Sequence, residues 1–149
     1  MTSNEIQFDC QRREDYGDGL EVVPRIDGTP FTDLIDTFET GAGMQPAGDA
    51  YGGIFPQLSR LGPVEDYFHG RSADVLGMTV LLGCQCGEQG CWPLMARIAV
   101  TGEFVIWDSF EQPYRPERDY TAFGPFQFDR KQYGDAVQAL SAKIRSDDA

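Results

Sequence analysis

Three apolar runs follow one another in the second half of the chain, and they constrain the fold more than any other feature. They read DVLGMTVLLGC (74–84), CWPLMARIAVT (91–101) and EFVIWDSFEQ (103–112). Each run is rich in β-branched and aromatic residues, and a short turn separates it from the next, which is typical of neighbouring antiparallel strands. The sequence therefore predicts a three-stranded antiparallel meander.

The turn between the second and third runs sets the register of this meander. A tight turn centred on residues 102–103 pairs Arg97 with Asp108 and Ala99 with Ile106. Opposite charges directly across a ladder favour this pairing. The same register returns the end of the third strand towards the turn between the first two strands. The second strand then has one wholly apolar face, which needs a cover of helices; its residues are Trp92, Leu94, Ala96, Ile98 and Val100.

The first quarter of the chain predicts a β-hairpin. Its strands lie in EIQFDCQRR and LEVVPRI, and the glycine-containing EDYGDG forms the turn between them. Pro24 cannot donate a ladder hydrogen bond, so it favours an edge position for the second strand.

Two segments have apolar residues at helical spacing. Phe31, Leu34, Ile35 and Phe38 share one face and predict a helix at about 30–40, capped by Thr29. The stripe in FDRKQYGDAVQALSAKIR predicts a second helix at about 129–145, for which Asp129 is the expected N-cap.

These elements predict an α+β fold. One domain spans 1–149, and its antiparallel sheet, made of the N-terminal hairpin and the meander, packs against the two helices. A long loop rich in glycine and proline is expected at about 41–63.

The charge of the chain bounds its partners. Twenty-four acidic and 12 basic residues give a formal net charge of −12, which repels nucleic acid and anionic lipid. A partner protein, if basic, would be attracted to this field. The N-terminal residues lack the features of a secretory signal, so we expect a cytoplasmic protein with reduced cysteines.

The stretch GCQCGEQGCWPL places Cys84, Cys86 and Cys91 in one turn. Thiolates are good zinc ligands, and a structural zinc site needs a fourth ligand, which makes zinc a candidate cofactor. Cys10 is the preferred fourth ligand and Glu111 the second choice.

Other interpretations of this turn stay open. In the first, the cysteines are reduced thiols without a metal. In the second, a transient disulfide joins Cys84 to Cys91 or to Cys86. In the third, one of them is a catalytic thiol. A thiol nucleophile needs a base, yet His69, the only histidine, precedes a strand about 30 Å long that ends at the cysteines. Elemental analysis with a free-thiol count distinguishes these cases.

Two stretches resemble a family of small uncharacterised bacterial proteins. They are GCQCGEQGCWPL and WDSFEQPYRPERDYTAFGPFQFDRKQY, which match a GCxCGxxGCWPL-like turn and an FEQPxRPxxDYxxFGPFxFDR-like run. The resemblance covers roughly residues 80–135. It implies no activity, because none is established for that family.

The predicted register brings the cysteine turn and the EQPYRPERDY run to one end of the sheet. The candidate binding residues there are Trp92, Glu111, Gln112, Arg115, Arg118 and Asp119. The alternative is that the aromatic residues of the same run only pack it onto the sheet edge; they are Tyr114, Tyr120, Phe123, Phe126 and Phe128.

The favoured function is that of a non-enzymatic acidic protein that binds another protein, with the cysteine turn as a structural element. A specific version is an immunity or antitoxin-type protein that neutralises a basic toxin by charge complementarity. The competing hypothesis is a thiol-dependent redox protein or enzyme that uses the 84–91 loop.

Overall fold

The computed structural model describes residues 3–14, 19–45, 47, 51–56, 61–72, 77–84 and 93–148, apart from the side chains of the last residues of β5 and α3. The strands are β1 (Ile6–Arg13), β2 (Gly19–Ile26), β3 (Thr29–Pro30), β4 (Tyr51–Gly52), β5 (Thr79–Cys84), β6 (Leu94–Val100), β7 (Phe104–Glu111) and β8 (Phe126–Asp129). The helices are α1 (Phe31–Gly41), α2 (Val64–Tyr67) and α3 (Arg130–Asp148).

The strands form two antiparallel sheets, with orders β1-β2-β3 and β4-β5-β6-β7-β8. The α+β class, the N-terminal hairpin, the meander and both predicted helices are confirmed. The register of the meander is also confirmed, because Arg97 pairs with Asp108 and Ala99 with Ile106. The Thr101 N–H donates to the Phe104 carbonyl across 2.8 Å and closes the tight turn.

A β-bulge in β7 changes which residues face the core. Ser109 has a φ of 58°, and the pairing shifts by one residue, so that Glu111 lies opposite Met95. The extra residue turns Phe110 inward, where strict alternation from Trp107 would have placed Ser109. Gln112 then faces the interior and is only 1% exposed.

Two backbone bridges join the sheets to each other. Asn4, just before β1, donates its N–H to the carbonyl of Gln127 in β8, and Val22 in β2 exchanges both backbone hydrogen bonds with Ile54, at 2.8 and 3.0 Å. Strand pairing therefore continues from each sheet into the other at two places.

One hydrophobic cluster includes residues from both sheets and all three helices. At its centre, Phe31 contacts the rings of Trp107, Phe110, Phe123 and Phe126 at centroid distances of 5.6 to 6.0 Å. The predicted apolar face of β6 is buried at its first three described positions. The exception is Val100, which is 39% exposed at the end of the strand.

Two local predictions are wrong. Pro24 does not lie on an edge strand, because β2 is the middle strand of its sheet. Val22 directs its N–H away from β1, to Ile54, and the nitrogen of Pro24, two residues later, points to the same side. On that side Pro24 lies between the residues that pair with Ile54 and those that pair with β3. The proline therefore removes no hydrogen bond between β1 and β2. Thr29 does not cap α1, because it belongs to β3, where it pairs with Ile26 of β2. Pro30 takes the cap position instead.

Other elements were not predicted. The run before α3 contains a fourth meander strand, β8, which pairs with β7 through Phe128 opposite Val105. The glycine-rich loop contains β4, and α2 follows it. The predicted cap of α3 is confirmed, because Asp129 accepts the Gln132 N–H at 3.0 Å, and α3 continues three residues beyond 145.

In the part of the chain that the structure describes, no helix is both long and apolar enough to cross a membrane.

Gly53 lies where the two sheets meet, and we predict that a methyl group there destabilises the fold. An added Cβ would stand 2.4 Å from the Val22 carbonyl oxygen and 2.6 Å from Cγ of Glu21. Gly53→Ala should lower the free energy of unfolding by about 1–3 kcal/mol, the usual cost of overpacking. The matched control is Gly102→Ala, where the methyl group has no neighbour within 4 Å. Equal denaturant midpoints for the two variants would contradict the close packing of Gly53 against β2.

Candidate functional site

Five of the six predicted binding residues line one cleft. It has a volume of about 720 Å³ and is walled by the end of β7 and the segment up to Pro125. The five are Glu111, Gln112, Arg115, Arg118 and Asp119; the sixth, Trp92, lies outside the described residues.

A buried carboxylate lies behind this cleft. Glu39 of α1 has no exposed surface, and its Oε2 accepts the hydroxyl protons of Tyr51 at 2.6 Å and Tyr120 at 2.5 Å. Nη1 of Arg118 lies 3.2 Å from the same oxygen, and the Arg118 side chain is only 5% exposed. The other oxygen, Oε1, accepts no hydrogen bond from the residues that the structure describes.

Gln112 extends the network to the mouth of the cleft. Its Nε2 donates to the Tyr51 hydroxyl oxygen at 2.6 Å, and its Oε1 accepts from Nη1 of Arg115 at 3.2 Å. We refer to these six residues, Glu39, Tyr51, Gln112, Arg115, Arg118 and Tyr120, as the Glu39 network.

Sequence reasoning missed Glu39, Tyr51 and the polar role of Tyr120. One signal was present, since Glu39 follows Phe31 and Ile35 at four-residue intervals on the predicted buried face of α1. A carboxylate on an apolar stripe needs partners once it is buried. Nothing local in the sequence indicates that those partners come from β4 and from a segment about 80 residues later.

Burial and hydrogen bonding hold the network tyrosines neutral. Desolvation raises the pKa of Tyr51 far above its ordinary value, and the hydrogen bond to Glu39 raises it further. The pKa of Tyr120 is raised by the same two causes. Burial lowers the pKa of Arg118, but its contacts with Tyr120 and Glu39 outweigh burial and raise it overall. At neutral pH both network phenols are therefore neutral, and the guanidinium that faces Glu39 is that of Arg118.

Asp119 lies on the outer wall of the cleft and is exposed. Its Oδ1 accepts hydrogen bonds from the hydroxyl of Thr121 at 2.7 Å and from the Thr121 N–H at 2.9 Å. These bonds lower the pKa of Asp119, so its negative charge persists at neutral pH.

The structure also shows where the cysteine turn begins. The backbone of Cys84 pairs with Tyr51, so β5 ends beside a member of the Glu39 network. Cys86 and Cys91 lie outside the described residues, and Cys10 lies in β1 opposite Val22, partly buried. Among the described residues, no three His, Cys, Asp or Glu side chains form a group that could hold a metal ion. The zinc site stays a prediction.

His69 lies away from this end of the sheet. Its Nδ1 is 2.6 Å from the Glu65 carbonyl oxygen, and its ring packs on Tyr133. The adjacent Gly70 lies against the backbone of Ile98 in β6. Ile98 is four residues further along this strand than Leu94, which lies near the cysteine end of the sheet. Leu94 pairs with Leu82, two residues before Cys84.

We predict that Glu39→Gln destabilises the protein strongly. The amide leaves the buried Arg118 guanidinium without its counter-charge, and breaking a buried ion pair in this way costs about 3–5 kcal/mol. Glu117→Gln, which changes an exposed glutamate in the same loop, should stay within about 0.5 kcal/mol of wild type. Chemical denaturation measures both, and a Glu39→Gln variant as stable as Glu117→Gln would show that the buried pair does not hold the loop.

Alkaline unfolding should follow from the network tyrosines. Their pKa values are raised in the folded state, whereas unfolded tyrosine ionises near pH 10, so their stabilising contribution is complete below pH 10 and lost above it. Each such tyrosine lowers the free energy of unfolding by about 1.4 kcal/mol per pH unit in that range. Tyr51→Phe should remove one tyrosine's share of this slope. Tyrosinate absorbance from these residues should rise together with the loss of circular dichroism, and an earlier rise would be inconsistent with the buried phenols.

No family model, no curated protein and no solved structure matches this chain. Its function must therefore be inferred from its own sequence and geometry.

Proposed function

We propose that this chain is a non-enzymatic protein that binds another protein, and that the partner presents a basic surface. The binding surface is the outer face of residues 111–123, which we call the acidic loop. The observation that carries the proposal is that this loop exposes an aromatic ring and three carboxylates from a backbone fixed by the Glu39 network.

Tyr114 is the exception among the aromatic residues of the predicted run. Tyr120, Phe123 and Phe128 are buried and Phe126 is partly buried, as expected if they pack the run onto the sheet, whereas Tyr114 is 69% exposed. In the described part of the chain, the only other exposed large apolar residue is Val100, which is 39% exposed. Tyrosine is enriched at the centres of protein interfaces, where its rigid ring supplies contact area at small entropic cost.

The backbone of the acidic loop is already ordered. Arg115 donates its N–H to the Gln112 carbonyl at 2.9 Å, Arg118 to the Arg115 carbonyl at 3.1 Å, and Phe123 to the Tyr120 carbonyl at 2.9 Å. Inside these turns, the side chains of Gln112 and Arg118 are anchored in the Glu39 network. A loop fixed before association loses less conformational entropy when a partner binds.

Charge supports a basic partner. Glu111, Glu117 and Asp119 are exposed on the loop, while the guanidinium of Arg118 is turned inward to Glu39. The loop therefore presents mainly negative charge, on a chain whose net charge is −12. Such a surface steers basic partners and selects against acidic ones. A neutraliser of a basic toxin is the specific form of this function that we favour.

We predict that neutralising the loop carboxylates weakens capture of the partner. Wild-type protein serves as bait at low salt in lysate of the source cells, beside the triple variant Glu111→Gln, Glu117→Gln, Asp119→Asn. Three exposed ion pairs at roughly 0.5 kcal/mol each amount to about a tenfold loss of affinity. The matched control is Asp33→Asn, Glu65→Gln, Glu103→Gln, which changes the net charge equally at positions outside the cleft.

A second pair of variants tests the aromatic anchor. Tyr114→Ala should reduce capture, and Val100→Ala should not, although each removes an exposed apolar side chain. Equal recovery by both charge variants, or the absence of any salt-sensitive partner, would contradict the proposal.

A further inference from the structure

A groove on another part of the molecule lies between β1 and α3. It has a volume of about 820 Å³ and is lined by residues 6–11 of β1 and by one face of α3 from Gln132 to Lys143. Because six consecutive strand residues line it, side chains from both faces of β1 contribute, and the strand presents its edge to the groove. β1 is also the outer strand of its sheet.

The hydrogen bonds at one end of the groove show which way this edge points. Ile6 donates its N–H to Oε1 of Gln132 at 3.0 Å and accepts from Nε2 of Gln132 at 2.6 Å. The carbonyl of Glu5, the preceding residue, instead accepts the Asp27 N–H on the opposite side, towards β2. The amide group of Gln132 thus occupies the place of a peptide group in a neighbouring strand and satisfies one position of the edge.

The next position is open. Alternate residues of a strand direct their backbone groups to the same side, so Phe8 points its N–H and C=O into the groove, as Ile6 does. No residue that the structure describes pairs with these groups of Phe8. Its partner in β2 is Pro24, whose nitrogen points away from β1, so Phe8 and Pro24 form a non-hydrogen-bonded pair of the ladder. The backbone of Phe8 therefore offers one donor and one acceptor to an added strand.

The opposite wall leaves room for a chain. Ala136, Ala139 and Leu140 form an apolar stripe on α3, and the small alanine side chains leave the space between this stripe and β1 unfilled. An extended segment of about six residues spans roughly 20 Å, which matches the length of the lining strand. We propose that the β1 edge binds an extended, basic segment of a partner protein as an added strand, the mode known as β-augmentation.

The charge of the chain selects this occupant over a second copy of the chain. Asp9 and Asp135 lie on the groove walls, where each also pairs with a cation of the chain, Arg25 at 2.7 Å and Lys131 at 3.3 Å. Among the described residues, Lys143 is the only cation that lines the groove. Two chains of net charge −12 repel each other, whereas lysine or arginine at the outward positions of an added strand is attracted. The site shares no lining residue with the cleft of the acidic loop, so it stands whether or not that loop binds a partner.

The test uses the full chain labelled with ¹⁵N and a capped octapeptide of alternating lysine and valine. We expect the peptide to shift the amide resonances of residues 8–11 and to slow hydrogen exchange of the Phe8 N–H. Ala139→Trp fills the groove and should weaken binding about tenfold or more. Ala142→Trp places the same ring on an exposed position of α3 outside the groove and should bind as wild type does.

Two further peptides separate backbone pairing from charge. The same octapeptide with alternate amides N-methylated on its pairing edge should bind at least about tenfold more weakly, because it lacks the donors for a ladder. The matched glutamate–valine peptide should bind more weakly through repulsion. The proposal is overturned if residues 8–11 do not respond to the lysine–valine peptide, if the methylated peptide binds equally well, or if sedimentation shows instead that the edge pairs two copies of the chain.

Discussion

The burial of the Glu39 carboxylate is the constraint on which the structure around the cleft depends. A charged group without exposed surface is stable only when paired and hydrogen-bonded, and the residues that do this for Glu39 come from two separate segments. Arg118 and Tyr120 belong to the acidic loop and Tyr51 to β4, so a single carboxylate on α1 fixes the loop against the five-stranded sheet. Well-packed apolar residues in place of the whole Glu39–Arg118 pair could match its stability, but they could not set the positions of the two phenols.

The bulge at Ser109 also fixes the acidic loop, because it sets the direction of Gln112 at the end of β7. With strict alternation, β7 would direct Gln112 outward, and the hydroxyl of Tyr51 would lose its donor. The extra residue turns Phe110 and then Gln112 inward, and Gln112 in turn orients Arg115. Gln112 and Arg115 at the start of the acidic loop, and Arg118 and Tyr120 further along it, thus hold the loop in place. The exposed residues of the loop take no part in these contacts.

Sequence reasoning succeeded where the determinants were local. The turn at 102–103 and the facing pair Arg97 and Asp108 define the meander register within about 15 residues. It failed where the partner is distant or the element is short. β8 has four residues after a proline-rich run, and β4 has only two, so neither shows a pattern until β7 or β5 is placed beside it. Pro24 was misassigned because a central strand can accept proline when its neighbour on that side is interrupted. Within the site, five of the six predicted binding residues share one cleft. The network behind them could not be predicted, because the partners of Glu39 lie in β4 and in a segment about 80 residues later.

The composition of the chain guarantees a negative surface however its side chains pair. Acidic residues outnumber basic ones by 12, so at least that many carboxylates have no basic side chain of their own within the chain. The described ion pairs use basic residues of the three-stranded sheet, of the segment after α2, of the acidic loop and of α3. The most buried of these residues, Arg118, pairs with Glu39. Excess negative charge then falls to exposed positions such as Glu111, Glu117 and Asp119. A partner that supplies cations relieves this self-repulsion when it binds, which is a physical reason to expect the same preference for basic chains at the ordered loop and at the open edge of β1.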